Sequence, residues 1–240
     1  MEFKNKTACI TGASVGIGRA TAILFAQRGA DLILIDINGE KLDLVKRELE
    51  EYDVSVKTFV CDVSDEAAVY AALSDKKVDI LVNNAALWRD RSSFCDVDTA
   101  LWRKYLDINV MGVVYCTKAV INGMVERGYG RIINVASVAG VYGNANMVHY
   151  SATKGALIAM TKALAKEVTD KGVLVNAVSP GSVSSSTDND IDSTSPSTLS
   201  FMGRTGSGRE NAELILFLAS DKASYISGQN IQIDGCRKKQ

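Results

Sequence analysis

The sequence predicts a doubly wound α/β fold, a single parallel sheet of about seven strands with helices on both faces. The 240 residues are 47% hydrophobic and 23% charged, values typical of a folded globular domain. Short runs of Val, Ile and Leu recur along the chain, and most lack the polar alternation of a strand with one wet face. Segments with apolar residues at helical spacing lie between these runs. Such alternation of buried strands and helices is the pattern of a parallel sheet.

The chain is expected to form one domain covering residues 1–240. It has only two prolines, and no linker or repeat divides it. Apolar stripes that mark helices run from Leu42 to Leu49, from Leu101 to Val120 and from Ala156 to Leu164. The predicted strands are Thr7–Thr11, Leu32–Asp36, Val54–Cys61, Ile80–Asn83, Arg131–Ser137, Val173–Ser179 and Asn230–Asp234.

One segment departs in composition from the rest of the chain. Eleven of the 19 residues from Ser182 to Ser200 are Ser or Thr. Such a stretch buries little apolar surface and therefore does not hold itself rigid. We expect a mobile substrate lid around residues 182–202 that closes when a cofactor binds.

Charge and cysteine content argue against several classes of function. The chain carries 27 Lys and Arg against 28 Asp and Glu, without the basic stripe that nucleic-acid binding requires. Its five cysteines form no C-x-x-C pair, which argues against a disulfide framework and against a metal site. The longest apolar run, Leu214–Ala219, is far shorter than a bilayer span. We therefore expect a cytoplasmic protein without a nucleic-acid, membrane or metal partner.

A glycine-rich turn follows the first predicted strand and precedes a helix. Gly12, Gly16 and Gly18 let the backbone turn tightly and approach a ligand closely. The free N–H groups and the positive end of the helix that follows suit a pyrophosphate. Strand, glycine turn and helix in this order predict a Rossmann-type dinucleotide site.

The second predicted strand ends in an acid, Asp36, 20 residues after Gly16. At this separation a carboxylate meets the adenosine ribose hydroxyls of NAD. The same charge repels the 2′-phosphate of NADP, and neither Val15 nor Ile37 supplies a cation to bind that phosphate. NAD is therefore the expected cofactor. The alternative is structural, with Asp36 capping the helix that begins near Asn38.

The glycine turn also contains a rival motif. Gly12-x-Ser14-x-Gly16 matches the elbow that exposes the nucleophilic serine of a hydrolase. A hydrolase needs a histidine, and His149 is the single one in the chain. In the elbow fold the serine follows several strands and the histidine lies near the end of the chain, an order that this sequence does not have. A serine hydrolase is therefore a remote alternative.

A second group of residues has the chemistry of a hydride-transfer site. Tyr150 and Lys154 lie four residues apart on a predicted helix and therefore share one face. Ser137 ends the strand before that helix, which brings its hydroxyl to the same edge of the sheet. Because a free tyrosine has a pKa of about 10, a positive charge must stabilise its phenolate at neutral pH. We expect the Lys154 ammonium and an oxidised nicotinamide to do so, which makes Tyr150 the general acid/base.

Together these residues resemble the short-chain dehydrogenase/reductase family over nearly the whole chain. Thr11-Gly12-x-x-x-Gly16-x-Gly18 is similar to the cofactor turn of that family. Asn83-Asn84-Ala85 is similar to its motif after the fourth strand, and Pro180-Gly181 to its motif beside the nicotinamide. The catalytic tetrad of the family is matched by Asn109, Ser137, Tyr150 and Lys154.

The resemblance implies a role for each matched position. Asn109, a poor helix former inside a predicted helix, would position a water for proton relay, and Asp62 would bind the adenine amino group. Ala86, Ser185 and Cys236 stand where the family usually has Gly, Thr and Gly. The implied cofactor contacts are Gly12, Ser14, Gly16, Ile17, Gly18, Asp36, Asp62, Val63, Asn83, Ala85, Tyr150, Lys154, Pro180, Gly181, Val183 and Ser185.

The resemblance also implies an activity, namely NAD-dependent interconversion of a small secondary alcohol and its ketone. A polyol, a sugar or a hydroxy acid derivative fits the mixed character of the variable loops, which are residues 87–97, 138–148 and 182–202. Trp88, Tyr142 and Met147 are expected to form an apolar wall there, and Arg89 or Arg91 offers a cation for an anionic group. The expected substrate contacts are Ser137, Tyr142, Asn144 and Tyr150.

Two alternatives stay open within the resemblance. One is a 3-oxoacyl-thioester reductase, and the other is a cofactor-binding sensor without catalysis, against which the intact tetrad argues. The helices around Leu101–Met124 and Ser151–Val168 resemble those through which family members pair. A homotetramer, or else a homodimer, is therefore implied.

Overall fold

The computed structural model describes residues 1–238 and contains one parallel sheet of seven strands in the order β3-β2-β1-β4-β5-β6-β7. The predicted doubly wound α/β fold is confirmed. The predicted fifth strand is too long at its carboxyl end, because Ser137 leaves the sheet to cap a helix. The strands are β1 Thr7–Thr11, β2 Asp31–Asp36, β3 Val56–Val60, β4 Ile80–Asn83, β5 Gly130–Val135, β6 Val173–Pro180 and β7 Asn230–Ile233.

Helices cover both faces of the sheet. α1, α2 and α8 pack with one set of strand side chains, while α3, α5 and α7 pack with the opposite set. The five inner strands are almost wholly buried, whereas β3 and β7 at the edges are partly exposed. The helices are α1 Gly16–Gln27, α2 Gly39–Glu48, α3 Glu66–Leu73, α4 Thr99–Leu106, α5 Gly112–Glu126, α6 Val138–Tyr142, α7 Val148–Val168 and α8 Gly208–Ala219.

The strand order reverses at β1, which pairs with β2 on one side and with β4 on the other. Connections from β1 and from β4 therefore leave the sheet in opposite directions and open a crevice at the carboxyl ends of the strands. The glycine turn after β1 and the Asn83-Asn84-Ala85 motif at the end of β4 border this crevice. The fold thus brings the predicted cofactor motifs to one place.

α4 and α5 are joined by a π-helical turn, Asp107–Met111, so the two helices form one long rod. Asn109 lies in this turn and is fully buried. Thr99–Glu126 is apolar enough by length and composition to cross a membrane. One side of it packs on the sheet through Val113, Cys116 and Val120, which accounts for that apolar character within the fold.

A chain of buried polar side chains crosses the middle of the sheet. The Asn83 amide donates to the Thr117 hydroxyl at 3.2 Å and to the Asn134 oxygen at 2.9 Å. The Asn134 amide donates to the Thr161 hydroxyl at 2.9 Å. Buried polar groups are costly unless they are paired, so this chain fixes β4 and β5 against α5 and α7. The Asn83 side chain therefore lies in the protein interior. The predicted contact of Asn83 with the cofactor would be made by its backbone.

The Ser/Thr-rich segment is better packed than its composition predicts. It contains a short 3₁₀ helix, Ser185–Asp188, in which the Ser184 hydroxyl accepts a hydrogen bond from the Ser186 amide. Thr187 is buried, and Ile191 joins the core beneath α1 and α8. One buried isoleucine and local hydroxyl caps thus give this segment contacts that its composition does not reveal, while the expected mobility of the lid stays a prediction.

Candidate active site

The glycine turn is fixed to the end of β4 by two residues. The Thr11 hydroxyl accepts the amides of Asn84 and Ala85, each at 3.0 Å. In return, the Asn84 side-chain amide donates to the carbonyls of Thr11 and Gly12, each at 3.0 Å. These four hydrogen bonds hold the two sides of the crevice in register without using a group that faces a ligand.

The glycines are required by close approach. A Cβ on Gly18 would lie 2.0 Å from the Gly12 carbonyl oxygen, and a Cβ on Gly12 would lie 2.8 Å from the Ala85 Cα. Gly12 and Gly16 also adopt the left-handed region, with φ of +63° and +58°. Val15 begins α1 without a side-chain cap, so the first N–H groups of the helix keep their hydrogen-bonding capacity. This cradle fits a dinucleotide pyrophosphate, with Ile17 in the first turn.

Asp36 joins the second strand to the glycine turn. One carboxylate oxygen accepts the Ser14 amide at 2.9 Å, and the other accepts the Asn38 amide at 2.9 Å. The cap of α2 is Asn38, whose side chain accepts the Lys41 amide, so the capping alternative for Asp36 is wrong. The carboxylate lies beside the turn, where it fits the ribose hydroxyls of NAD.

The carboxyl end of β3 carries the two residues expected near the adenine. Asp62 is exposed, and one of its oxygens accepts both the amide and the hydroxyl of Ser64. Val63 is buried against Gly112 of α5, where a glycine Cβ would lie 2.8 Å from a Val63 methyl carbon. The Val63 side chain therefore serves packing, while Asp62 keeps one oxygen for a ligand.

Ser137, Tyr150 and Lys154 come together where β5 meets α7. Ser137 caps α6, with its hydroxyl accepting the Ala139 amide at 3.1 Å. α6 lies tightly on α7, since a Cβ on Gly140 would lie 2.6 Å from the Lys154 carbonyl carbon. The Lys154 amine donates to the Val135 carbonyl at 2.7 Å and lies 5.8 Å from the centre of the Tyr150 ring. The predicted convergence of the three residues is thus present.

Burial governs the pKa values of this pair in the protein alone. Burial lowers the pKa of Lys154 to about 7. Burial also raises the pKa of Tyr150 above its usual value, and the hydrogen-bonding hydroxyl of Ser137 opposes this rise. The expectation that the Lys154 ammonium and an oxidised nicotinamide together stabilise the phenolate concerns the enzyme with its cofactor and stays a prediction. An oxidised nicotinamide would supply a positive ring and the acceptor for the hydride, and its charge would favour the phenolate of Tyr150.

Asn109 holds a loop rather than pointing into the crevice. Its oxygen accepts the Leu87 amide at 2.7 Å, and its nitrogen donates to the Leu87 carbonyl at 2.9 Å and to the Thr153 hydroxyl at 3.1 Å. The side chain is thus fully used in fixing the start of the 87–97 loop to α7. The family resemblance implies that Asn109 positions a water, and this remains a prediction. Because the side chain is occupied, the backbone of the π-helical turn would make that contact.

The segment after β6 lies at the same edge of the sheet. The Gly181 amide donates to the Ile233 carbonyl at 2.9 Å, and a Cβ on Gly181 would lie 2.9 Å from the Asp234 Cα. Pro180 ends β6, and Val183 forms a bridge with Gly206. Ser185, where the family usually has Thr, begins the 3₁₀ helix and is exposed.

The loop expected to bind substrate is partly helical and is tied to the C-terminal segment. The Tyr142 hydroxyl donates to the Gln232 side-chain oxygen. The Asn144 side-chain oxygen accepts from the Arg237 guanidinium at 3.2 Å, and the Asn144 backbone N–H donates to the Ser151 hydroxyl at 3.1 Å. Of the three residues expected to form an apolar wall, Met147 is buried, whereas Trp88 and Tyr142 are exposed. Sequence reasoning missed Gln232 and Arg237, which lie far along the chain from this loop.

His149 belongs to an aromatic cluster. Its ring packs edge-on against Tyr105 at 4.3 Å between centres, and neither ring nitrogen has a hydrogen-bond partner among residues 1–238. The Tyr105 hydroxyl donates to Asp90 in the 87–97 loop, and burial raises the pKa of Tyr105 to about 12. Because His149 makes no hydrogen bond to Ser14, the hydrolase alternative lacks its general base.

The crevice, cradle and reactive triad define a nicotinamide-dependent oxidoreductase. A family model described as Enoyl-(Acyl carrier protein) reductase matches residues 12–236. The chain is 37% identical to the Thermotoga maritima 3-oxoacyl-(acyl-carrier-protein) reductase, with 98% of each chain covered. It is 34% identical to the Sphingomonas 2-dehydro-3-deoxy-L-rhamnonate dehydrogenase (NAD(+)), with 98% of this chain and 96% of that protein covered.

Solved structures with a similar fold are also enzymes of this class. The Brucella melitensis 3-oxoacyl-(acyl-carrier-protein) reductase with bound NAD superposes with a TM-score of 0.89 at 32% identity, covering 98% of this chain and 91% of that one. An NAD⁺-bound xylitol dehydrogenase gives a TM-score of 0.89 at 32% identity, covering 98% and 100%. The chain belongs to the short-chain dehydrogenase/reductase family. It is an NAD-dependent enzyme that interconverts alcohols and ketones, as the sequence predicts.

Replacing Asp36 tests its role in cofactor choice. In Asp36→Ala the preference for NAD over NADP should narrow by about tenfold to a hundredfold, because hydrogen bonds to the ribose are lost and the repulsion of a 2′-phosphate is removed. The ratio of kcat/KM for the two cofactors measures this. Asp43→Ala, which removes an exposed carboxylate from α2, should leave the ratio unchanged. An unaltered ratio in Asp36→Ala would contradict the assignment.

The depressed pKa of Lys154 predicts a pH-dependent cost in stability. The folded amine loses its proton near pH 7, whereas an unfolded lysine keeps its proton to about pH 10.4. The unfolded state therefore binds more protons between these values, so stability rises with pH across this window and the cost is complete below pH 7. Lys154→Met should raise the free energy of unfolding by about 2–4 kcal/mol at pH 6 and by less at pH 9.

Urea unfolding of the protein without NAD measures this difference. Lys162→Met, which replaces an exposed lysine of the same helix, should show a small difference that does not change with pH. A difference for Lys154→Met that is equal at pH 6 and pH 9 is the outcome that speaks against a buried, neutralisable amine.

Proposed function

We propose that the enzyme acts on a small polar secondary alcohol, such as a polyol, a sugar or a hydroxy acid, and forms the corresponding ketone. The observation that carries this proposal is the wall of the substrate side, where Tyr142 and Asn144 meet Gln232 and Arg237 through polar groups. Trp88 of the 87–97 loop and Phe201 of the lid are both exposed. The similar proteins named xylitol dehydrogenase and 2-dehydro-3-deoxy-L-rhamnonate dehydrogenase (NAD(+)) support a polar substrate.

Each residue of the site has its own role in the proposed reaction. Ser137 binds the substrate oxygen, and Tyr150 takes the hydroxyl proton during oxidation or returns it during reduction. Lys154 is held close to both by its bond to the Val135 carbonyl, where it stabilises the phenolate when protonated and binds ribose hydroxyls. Asn109 keeps the 87–97 loop against α7, which closes one side of the substrate space.

Reduction of 3-oxoacyl thioesters is the second candidate. Several relatives with that name are 34–37% identical to this chain over 98% of its length, which favours it. The two candidates differ in the substrate tail, since a thioester carries a long group out of the crevice while a small alcohol does not. A screen of secondary alcohols, ketones and 3-oxoacyl thioesters with NAD(H) separates them.

The proposal also includes a movement of the Ser/Thr-rich lid, residues 182–202. The Asp188 carboxylate lies 3.5 Å from the place of a Cβ on Gly16, and the Arg19 guanidinium donates to the Asp188 carbonyl. A pyrophosphate at the glycine turn brings negative charge next to Asp188, and like charges repel. We infer that the 182–202 segment shifts when NAD binds.

The test of the reaction is loss of the phenol. In Tyr150→Phe, turnover of every substrate found in the screen should fall by about 10²–10⁴-fold, because the proton has no acceptor. NAD binding, measured by calorimetry, should persist. Tyr225→Phe removes a hydroxyl from a fully exposed tyrosine and serves as the control. Turnover that survives in Tyr150→Phe would reject Tyr150 as the general acid/base.

We propose further that the enzyme is a cytoplasmic homotetramer. All five cysteines are free, which suits a reducing compartment. The outer side of α7 carries small residues, including Ala156 and Ala159, that permit close helix contact. Sedimentation should give four times the 25.8 kDa chain mass. Ala159→Arg should lower that mass, whereas Ala67→Arg on the exposed side of α3 should not; a monomeric wild-type enzyme would refute the assembly.

A further inference from the structure

The C-terminal segment forms one side of the substrate space. The Phe201 and Met202 amides donate to the carbonyls of Cys236 and Gly235, and the Lys238 amide donates to the Leu199 carbonyl. Residues 235–238 therefore pair in antiparallel fashion with the end of the lid. Cys236, where the family usually has Gly, adopts a left-handed φ of +57° within this pairing. This backbone course directs the Arg237 side chain toward the 143–147 loop.

Arg237 differs from the other cations near the crevice. Arg204 is paired with the Glu210 carboxylate, Arg89 lies exposed over the Trp88 ring, and Lys238 lies over the Phe201 ring. Arg237 is half-buried, and its side-chain partner is the neutral Asn144 oxygen at 3.2 Å. Among residues 1–238 no carboxylate lies within ion-pair distance of its guanidinium, although Asp234 lines the same small cavity. Its charge is therefore not neutralised by the described part of the chain.

Hydrogen bonds link Arg237 to the helix that carries Tyr150. The backbone N–H of Asn144, the partner of Arg237, donates to the Ser151 hydroxyl, and Ser151 is next to Tyr150 on α7. The cavity beside Arg237 is lined on another side by Ser182, which directly follows Pro180-Gly181. Arg237 is thus linked through Asn144 to the first turn of α7, which carries Tyr150, and through the small cavity to the segment that follows Pro180-Gly181.

We infer that Arg237 is a specificity-determining residue that binds the carboxylate of a short hydroxy acid substrate. A guanidinium gains more from a carboxylate than from a neutral amide, because two charge-assisted hydrogen bonds replace one weak one. Asn144 holds the side chain in place until the carboxylate arrives and then bonds the same oxygen or a neighbouring hydroxyl. This inference rests on the proposed function, since it names which small polar alcohol the enzyme takes.

Matched substrates isolate the carboxylate. 3-Hydroxybutyrate and butane-1,3-diol share a carbon skeleton and a secondary hydroxyl, and lactate and propane-1,2-diol form a second such pair. The wild-type enzyme should oxidise an acid with a higher kcat/KM than its diol. In Arg237→Gln, KM for the acid should rise about tenfold to a hundredfold while kcat changes little, and the diol should be unaffected.

Two further variants control for structure. Arg237→Lys keeps a charge but loses the planar fork, so it should restore part of the affinity for the acid. Lys238→Gln removes the neighbouring cation, which stacks on Phe201, and should leave both substrates unchanged. Equal losses for acid and diol in Arg237→Gln, or no loss for either, would overturn the inference.

A binding measurement separates this inference from the proposed reaction. Butyrate has the carboxylate but no hydroxyl to oxidise, and its binding to the enzyme–NAD complex is measured by calorimetry. Binding that weakens in Arg237→Gln supports the subsite even where none of the four substrates is turned over, in which case the proposed reaction fails alone. Equal binding of butyrate by wild type and Arg237→Gln, or no binding by either, overturns the subsite whatever the turnover.

Discussion

The burial of one amine is the constraint on which the rest of the site depends. Lys154 is 2% exposed, bonds the carbonyl that ends β5, and lies against the ring of Tyr150. α6 packs tightly on the α7 backbone at Lys154, a contact that only a glycine at position 140 allows. Because burial makes both the ammonium and the phenolate costly, the protonation of the pair responds to a charge brought beside it. A positively charged nicotinamide in this place would favour the phenolate and so couple the base to its redox partner.

A second constraint operates across the crevice. Thr11 and Asn84 exchange hydrogen bonds between β1 and β4, the two strands at which the strand order reverses. The same turn is held from the other side by Asp36 through the Ser14 amide. The pyrophosphate cradle and the ribose acid are thus one assembly. Behind it, the buried Asn83, Asn134 and Thr161 chain keeps β4 and β5 in register with the helix that carries Tyr150.

Local pattern was enough to predict the architecture and the reactive residues. Buried strands, glycine spacing and a Tyr-x-x-x-Lys pair are short-range signals, and the seven-strand sheet follows from them. Contacts between distant segments were missed. Arg237 reaches Asn144 across 93 positions of sequence, and no local signal marks that pairing. The effect of burial on the pKa values of Lys154 and Tyr150 was not predicted either, since it depends on packing that residue spacing does not reveal.

The π-helical turn at Asp107–Met111 determines how the side chains of α5 are rotated about the helix axis relative to those of α4. A turn of this kind holds one residue more than a regular helical turn, so it behaves as a single-residue insertion. Removing one residue there would restore regular winding and rotate α4 relative to α5 by about 100°. Tyr105 would then leave His149, and the 87–97 loop would lose its anchor. The attachment of this loop therefore depends on a single extra residue in the helix.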